Sequence, residues 1–145
     1  MPEPDPGAAT TTLLRTAYNA LSAAIYRAVA HAAGDGLRPA HGNALEMLGI
    51  QDGVRLTDIA AQAGMAPQSM GELVEDLVAK GYLRRQEDPA DRRAKRIYLT
   101  GRGRQAADAG HAANRHAEQQ IQAALGPRQY QQLRRNLAAI ARLDL

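Results

Sequence analysis

Met70, Leu73, Val74, Leu77 and Val78 recur at steps of three and four residues. That spacing draws one apolar stripe along a helix that opens at Pro67 and stops at Gly81. Proline suits the first turn of a helix, where its missing N–H has no partner to lose. Just upstream, Ile59, Ala60 and Ala63 keep helical spacing, with Thr57 as a candidate N-cap and Gly64 as a stop. Two short helices joined by a tight turn, the second with a polar leading end, form the helix-turn-helix pattern. Residues 82–85 and 97–99 are short β-prone segments. Between them residues 88–93 hold Asp88, Pro89 and Asp91, which suit a turn. The pattern predicts two helices followed by a hairpin.

The flanks are helical. Residues 1–9 carry Pro2, Pro4, Pro6 and Gly7 and read as a disordered tail. From about Thr11, Leu14, Tyr18, Leu21, Ile25 and Ala28 follow a 4-3-4-3 spacing, a seam for another helix, until Gly34-Asp35-Gly36 breaks it. Pro39 opens a second helix with Ala44, Leu45, Leu48 and Gly49 on its inner side. After Gly101-Arg102-Gly103 an Ala-rich helix runs to about Leu125, and Gly126-Pro127 ends it. The last helix carries Tyr130, Leu133, Leu137 and Ile140. The fold class is mainly α with a small β-hairpin.

Composition narrows the chemistry. The chain has 145 residues, 45% of them hydrophobic, enough for one domain with a modest core. With five Tyr and no Phe or Trp, that core must rest on aliphatic residues and Ala. The lack of cysteine excludes disulfides, thiolate metal sites and a thiol sensor. No apolar run approaches the ~18–20 residues that span a membrane, and no signal peptide is visible, so the expected location is the cytoplasm. No nucleophile–base pair, phosphate loop or metal constellation is apparent, and the chain reads as a non-enzyme without cofactor or metal.

Charge is unevenly spread. Between Lys80 and Arg104 nine Lys/Arg face three acids, a net +6 in a chain of net +3, which leaves −3 for the remainder. Positive charge concentrated on one hairpin is what a surface meeting phosphates requires. A merely solvated charged hairpin is the alternative.

On these residues the chain resembles the MarR family of winged helix-turn-helix regulators. Residues 56–100 carry the likeness, above all Asp88-x-x-Asp91-Arg92-Arg93 leading into Ile97-x-Leu99-Thr100-x-x-Gly103. The resemblance implies a single domain over residues 10–145. The winged helix-turn-helix would span about 38–100, and dimerisation helices about 10–33 and 104–145. It implies an obligate homodimer that binds double-stranded DNA at a pseudo-palindromic operator, most often as a ligand-responsive repressor. A non-sensing architectural or accessory DNA-binding protein of the same fold is the alternative.

The candidate DNA-binding residues are Pro67, Gln68, Ser69, Gly71 and Glu72 at the leading end of the second helix of the motif, and Arg84, Arg92, Arg93 and Lys95 on the wing. Gln68 suits adenine, and Ser69 suits a base edge or a phosphate; otherwise both help cap their helix. Ala66 stands where the family has a capping Ser or Thr. Glu72 stands where relatives often have a basic or neutral polar residue, and it accepts from cytosine or points at the scaffold. Arg85 and Arg96 are further phosphate candidates. By resemblance Asp91 pairs with Arg93 and orients an arginine. The resemblance also implies an effector pocket for a phenolic or other aromatic anion, with Arg15, Tyr18, Tyr26, His41 and Met47 as candidates; alternatively, each is plain core or surface, and His41 a polar edge residue. His111 and His116, five residues apart, face each other poorly on a helix as metal ligands.

Overall fold

A computed structural model describes residues 5–144, with the side chain of Arg92 outside the described groups. The expectation for residues 1–4 therefore lies outside the described residues. Residues 5–8 form a turn in which Ala8 N–H donates to the Asp5 carbonyl at 3.0 Å. The element order is α1 (Thr10–Ala33), α2 (Pro39–Ile50), β1 (Val54–Arg55), α3 (Leu56–Gln62), α4 (Pro67–Ala79), β2 (Leu83–Asp88), β3 (Asp91–Leu99), α5 (Gly101–Leu125) and α6 (Pro127–Ile140). The chain divides into two compact units, Met1–Ala113 and Asn114–Leu145. No helix among the described residues is long and apolar enough to cross a membrane.

In the first unit, the predicted stripe of α4 is its buried face: Met70, Val74 and Leu77 are fully enclosed. They pack with Ile59 of α3, Leu48 of α2 and Leu83 and Ile97 of the sheet. Removing this much aliphatic surface from water is the main stabilising term, at roughly 1.5–3 kcal/mol for each fully buried large side chain. Gly64, at φ +62°, makes the tight turn between α3 and α4. On α1 the buried residues are Ser22, Val29 and Ala33, whereas Tyr18 of the predicted seam is 59% exposed.

Three expectations need correction. First, Thr57 is not the cap of α3. That helix begins at Leu56 directly from Arg55, which makes no side-chain cap bond, because Arg55 is still paired in a strand. Second, the sheet has three strands in the order β1-β3-β2. The two-residue β1 pairs Val54 with Ile97 and Arg55 with Arg96 and is too short to show a period. Third, the wing strands are longer than predicted. Only Pro89 and Ala90 separate β2 from β3, so Asp91, Arg92 and Arg93 lie on a strand rather than in a loop. Outer rungs such as Glu87 opposite Lys95 are exposed on both strands, so no apolar alternation marks them.

The helix α5 starts at Gly101, before the glycine pair has ended. Thr100 Oγ1 accepts from Gly103 N–H at 3.1 Å and closes the first turn. In the second unit Tyr130 of α6 is buried and its hydroxyl donates to the Glu118 carboxylate, which also receives Arg134 Nη1 at 3.0 Å. Leu137, Ile140 and Leu143 remain exposed.

Candidate nucleic-acid interface

The helix α4 points one face at the core and the opposite one outward. Gln68, Glu72 and Glu75 follow four- and three-residue steps on the side away from Met70, Val74 and Leu77, and all three are exposed. Pro67 is the first helical residue, and Ala66 before it supplies no side-chain cap. Among the described residues Gln68 and Ser69 make no side-chain hydrogen bond, so neither acts as a cap and both leave donors and acceptors open. Gly71 lies to the side: a Cβ there would touch Leu56 Cδ2 at 3.7 Å. It lines a cleft of about 490 Å³ between α3, α4 and the wing, with Thr57, Glu75, Arg85 and Lys95.

The wing is organised by Asp88, whose sequence context marks a turn and the start of the wing motif but gives no sign of burial. Asp88 is 1% exposed. Its Oδ2 receives Arg55 Nη2 at 2.8 Å and Arg96 Nε at 3.1 Å, and its Oδ1 accepts from Ala90 N–H at 3.0 Å. The Ala90 amide and then Arg55 hold its carboxyl down at about 2, against an ordinary 3.8. Arg96 also donates to the Gly53 carbonyl at 2.7 Å. Arg55 and Arg96 are thus committed to fixing the wing to β1. No local signal could have found Arg55, which is 33 residues from its partner.

Asp91 shapes the chain at the tip: its Oδ1 accepts from the backbone N–H of Arg93 at 3.0 Å, and among the described residues it has no ion pair with a guanidinium. Arg93 is exposed and has no ion pair among the described residues. Arg84 lies 4.7 Å from the Tyr98 ring centroid, Lys95 lies 3.3 Å from Glu87, and Arg85 lies 3.6 Å from Glu75. These exposed pairs are weak and salt-screened, so their cations remain available to a stronger anion.

None of the five pocket candidates lines the cleft between α3, α4 and the wing. Arg15 and Tyr18 are exposed, and Met47 packs partly into the core. The Tyr26 hydroxyl donates to the Pro39 carbonyl at 3.3 Å, and burial pushes its pKa up to about 12. His41, expected at a polar edge, is completely buried. Its Nδ1 accepts from Arg38 N–H at 3.0 Å, which places the proton on Nε2, 2.9 Å from Asp76 of α4 in a close but poorly aligned contact. The backbone donor satisfies Nδ1, while the Asp76 carboxylate lies against Nε2 without completing a hydrogen bond. Among the described residues no cluster of three His, Cys, Asp or Glu could hold a metal.

A three-helix core with a basic two-stranded wing beside an open helix face defines a winged helix-turn-helix. The model of the MarR family matches residues 35–94. A protein from Pseudomonas aeruginosa described as a "probable transcriptional regulator" is 29% identical, with 90% of this chain and 96% of that one covered at a TM-score of 0.70. The transcriptional repressor CouR, bound to a 23-mer DNA duplex, is 25% identical over 97% of this chain and 100% of that one, at a TM-score of 0.74. The MepR–DNA complex of S. aureus, at 23% identity, is a likeness of fold alone: TM-score 0.77 over 92% and 97% of the two chains. No curated protein matches. Over its winged-helix region this chain is similar to the MarR family.

Proposed function

We propose that this chain is a homodimeric, sequence-specific DNA-binding transcription regulator that acts in the cytoplasm as a ligand-responsive repressor at a pseudo-palindromic operator. The carrying observation is the pairing of an open α4 face with a wing that concentrates the chain's positive charge. The recognition helix enters the major groove through Gln68, Ser69 and Glu72, and Pro67 sets its leading turn. Arg92 or Arg93 meets the minor groove, and Arg84 and Lys95 meet phosphates. CouR, of like fold and matched over its whole length, is bound to a DNA duplex, which supports the reading. Dimerisation through α1 and the C-terminal helices is supported by Tyr18 and Leu21 in the first unit, and separately by Leu137, Ile140 and Leu143 in the second, which leave apolar side chains in water.

The test is binding of the purified protein to its own upstream DNA against a scrambled duplex near physiological salt. Preference for the native fragment is expected, with Arg93→Ala weakening binding and making the salt slope shallower by about one unit. Unchanged affinity in both Arg92→Ala and Arg93→Ala would sink the wing assignment. The second reading, a non-sensing architectural protein of the same fold, would bind both duplexes alike.

A further inference from the structure

Resting on that reading, we propose that Glu72 is a specificity-determining residue. Its carboxylate selects a cytosine in each half-site and, by repelling phosphate, keeps the protein off unmatched DNA.

The helix α4 carries Glu72, Glu75 and Asp76 and no Lys, Arg or His. Two of these acids are occupied. Asp76 receives Lys80 and lies 3.6 Å from Arg38 and 2.9 Å from His41. Glu75 lies 3.6 Å from Arg85. Glu72 has neither an ion pair nor a side-chain hydrogen bond among the described residues. It stands midway along the outward stripe between Gln68 and Glu75. A helix presented to a polyanion therefore shows it an unpaired negative charge.

In the major groove that charge is tolerable only against a donor. Guanine offers two acceptors there, and thymine an acceptor and a methyl group. Adenine sets its amine beside an acceptor, and cytosine presents an amine alone. A carboxylate, which has no proton to give, thus favours cytosine, accepts adenine less well and disfavours guanine and thymine. Gln68 lies four residues earlier on the same stripe, about 6 Å along the axis at ~1.5 Å per residue. Its amide suits adenine, so the two contacts fall within about two base steps of each other. Affinity for backbone comes from the wing, and α4 supplies discrimination.

The experiment is selection from a randomised duplex library by the full-length protein and by Glu72→Gln. Binding to the selected site, its single-base variants and an unrelated duplex follows. Glu72 is exposed, so the variant's thermal midpoint should match the parent's and serves as the folding control. The parent should enrich a half-site with one fixed cytosine, whose replacement by guanine or thymine weakens binding about 10- to 100-fold. Glu72→Gln should lose that preference or shift it to adenine, keep the other positions, and bind the unrelated duplex more tightly. An unchanged base preference at every position in Glu72→Gln, or a parent site with no cytosine preference that depends on Glu72, overturns the inference while DNA reading stands. A parent that enriches no sequence and binds no duplex overturns the regulator reading itself, and the inference with it.

Discussion

Gly103 lies against the main chain of Tyr82: a Cβ built on Gly103 would stand 1.9 Å from the Tyr82 carbonyl oxygen. The first turn of α5 therefore reaches the root of β2 only because that position has no side chain. The obstacle is backbone, which cannot swing aside as a side-chain tip does. Gly103→Ala is expected to destabilise the fold by about 3 kcal/mol, the upper end of ordinary overpacking costs. Urea unfolding would measure it. A loss within about 0.5 kcal/mol, as for a neutral surface change, would mean that α5 shifts freely.

Tyr82 also ties the end of α1. Its hydroxyl lies 3.2 Å from the Ala33 carbonyl and 3.1 Å from that of Gly34, while Arg102 Nε donates to the same Ala33 carbonyl at 2.8 Å. Arg102 also donates to the Lys80 carbonyl at 2.9 Å and covers the Tyr82 ring at 4.3 Å from its centroid. Tyr82→Phe should cost only about 1 kcal/mol, because Arg102 still serves the Ala33 carbonyl. Arg102→Ala should cost more, since two carbonyls and a stacked ring lose it together. The double variant should then lose more than the sum of the two singles, by at least about 0.5 kcal/mol. Strict additivity would show that the two side chains act independently.

Much of this architecture is legible in the sequence for a physical reason. Helices that bury one face must repeat apolar residues at helical steps, and Met70, Val74 and Leu77 do so. The family motif places the wing. What stayed hidden depends on partners distant in sequence. Arg55 reads as one more cation until Asp88, 33 positions away, is seen to bury its carboxylate beneath it. His41 reads as polar edge because a lone histidine gives no sign that Asp76 will come from another helix to meet it. The outer rungs of the wing are charged on both strands and carry no period to detect.

Asp88 makes the wing sensitive to strong acid. Its folded carboxyl titrates at about 2, and the ordinary value is 3.8. The stability it contributes is therefore complete above about 3.8 and is lost as pH falls toward about 2. Asp88→Asn should be less stable than the parent at neutral pH, since Arg55 and Arg96 lose their shared counter-charge. It should also show a shallower loss of stability between pH 4 and 2. Denaturant titrations at stepped pH would check this. Equal slopes in the two proteins would remove Asp88 from the acid response.

His41 sets a second, milder window. Burial lowers its pKa below the ordinary 6.5, and Asp76 offsets that only in part. Above 6.5 the imidazole is neutral whether the chain is folded or not, so stability does not change through this group. Below 6.5 the unfolded chain takes up a proton that the buried ring resists, and the folded state loses ground until the lowered pKa is passed. Asp76, held below its ordinary 3.8 chiefly by Lys80, does not titrate in that range. Stability should therefore decline from pH 7 to 5. His41→Gln, whose amide can still accept from Arg38 N–H and donate to Asp76, should flatten that decline at a modest cost at neutral pH. Because His41 of α2 touches Asp76 of α4, the helix proposed to read DNA, DNA affinity at pH 5.5 should fall further in the parent than in His41→Gln. A parent curve flat between pH 7 and 5, or a variant as steep as the parent, would show that this histidine carries no part of the pH response.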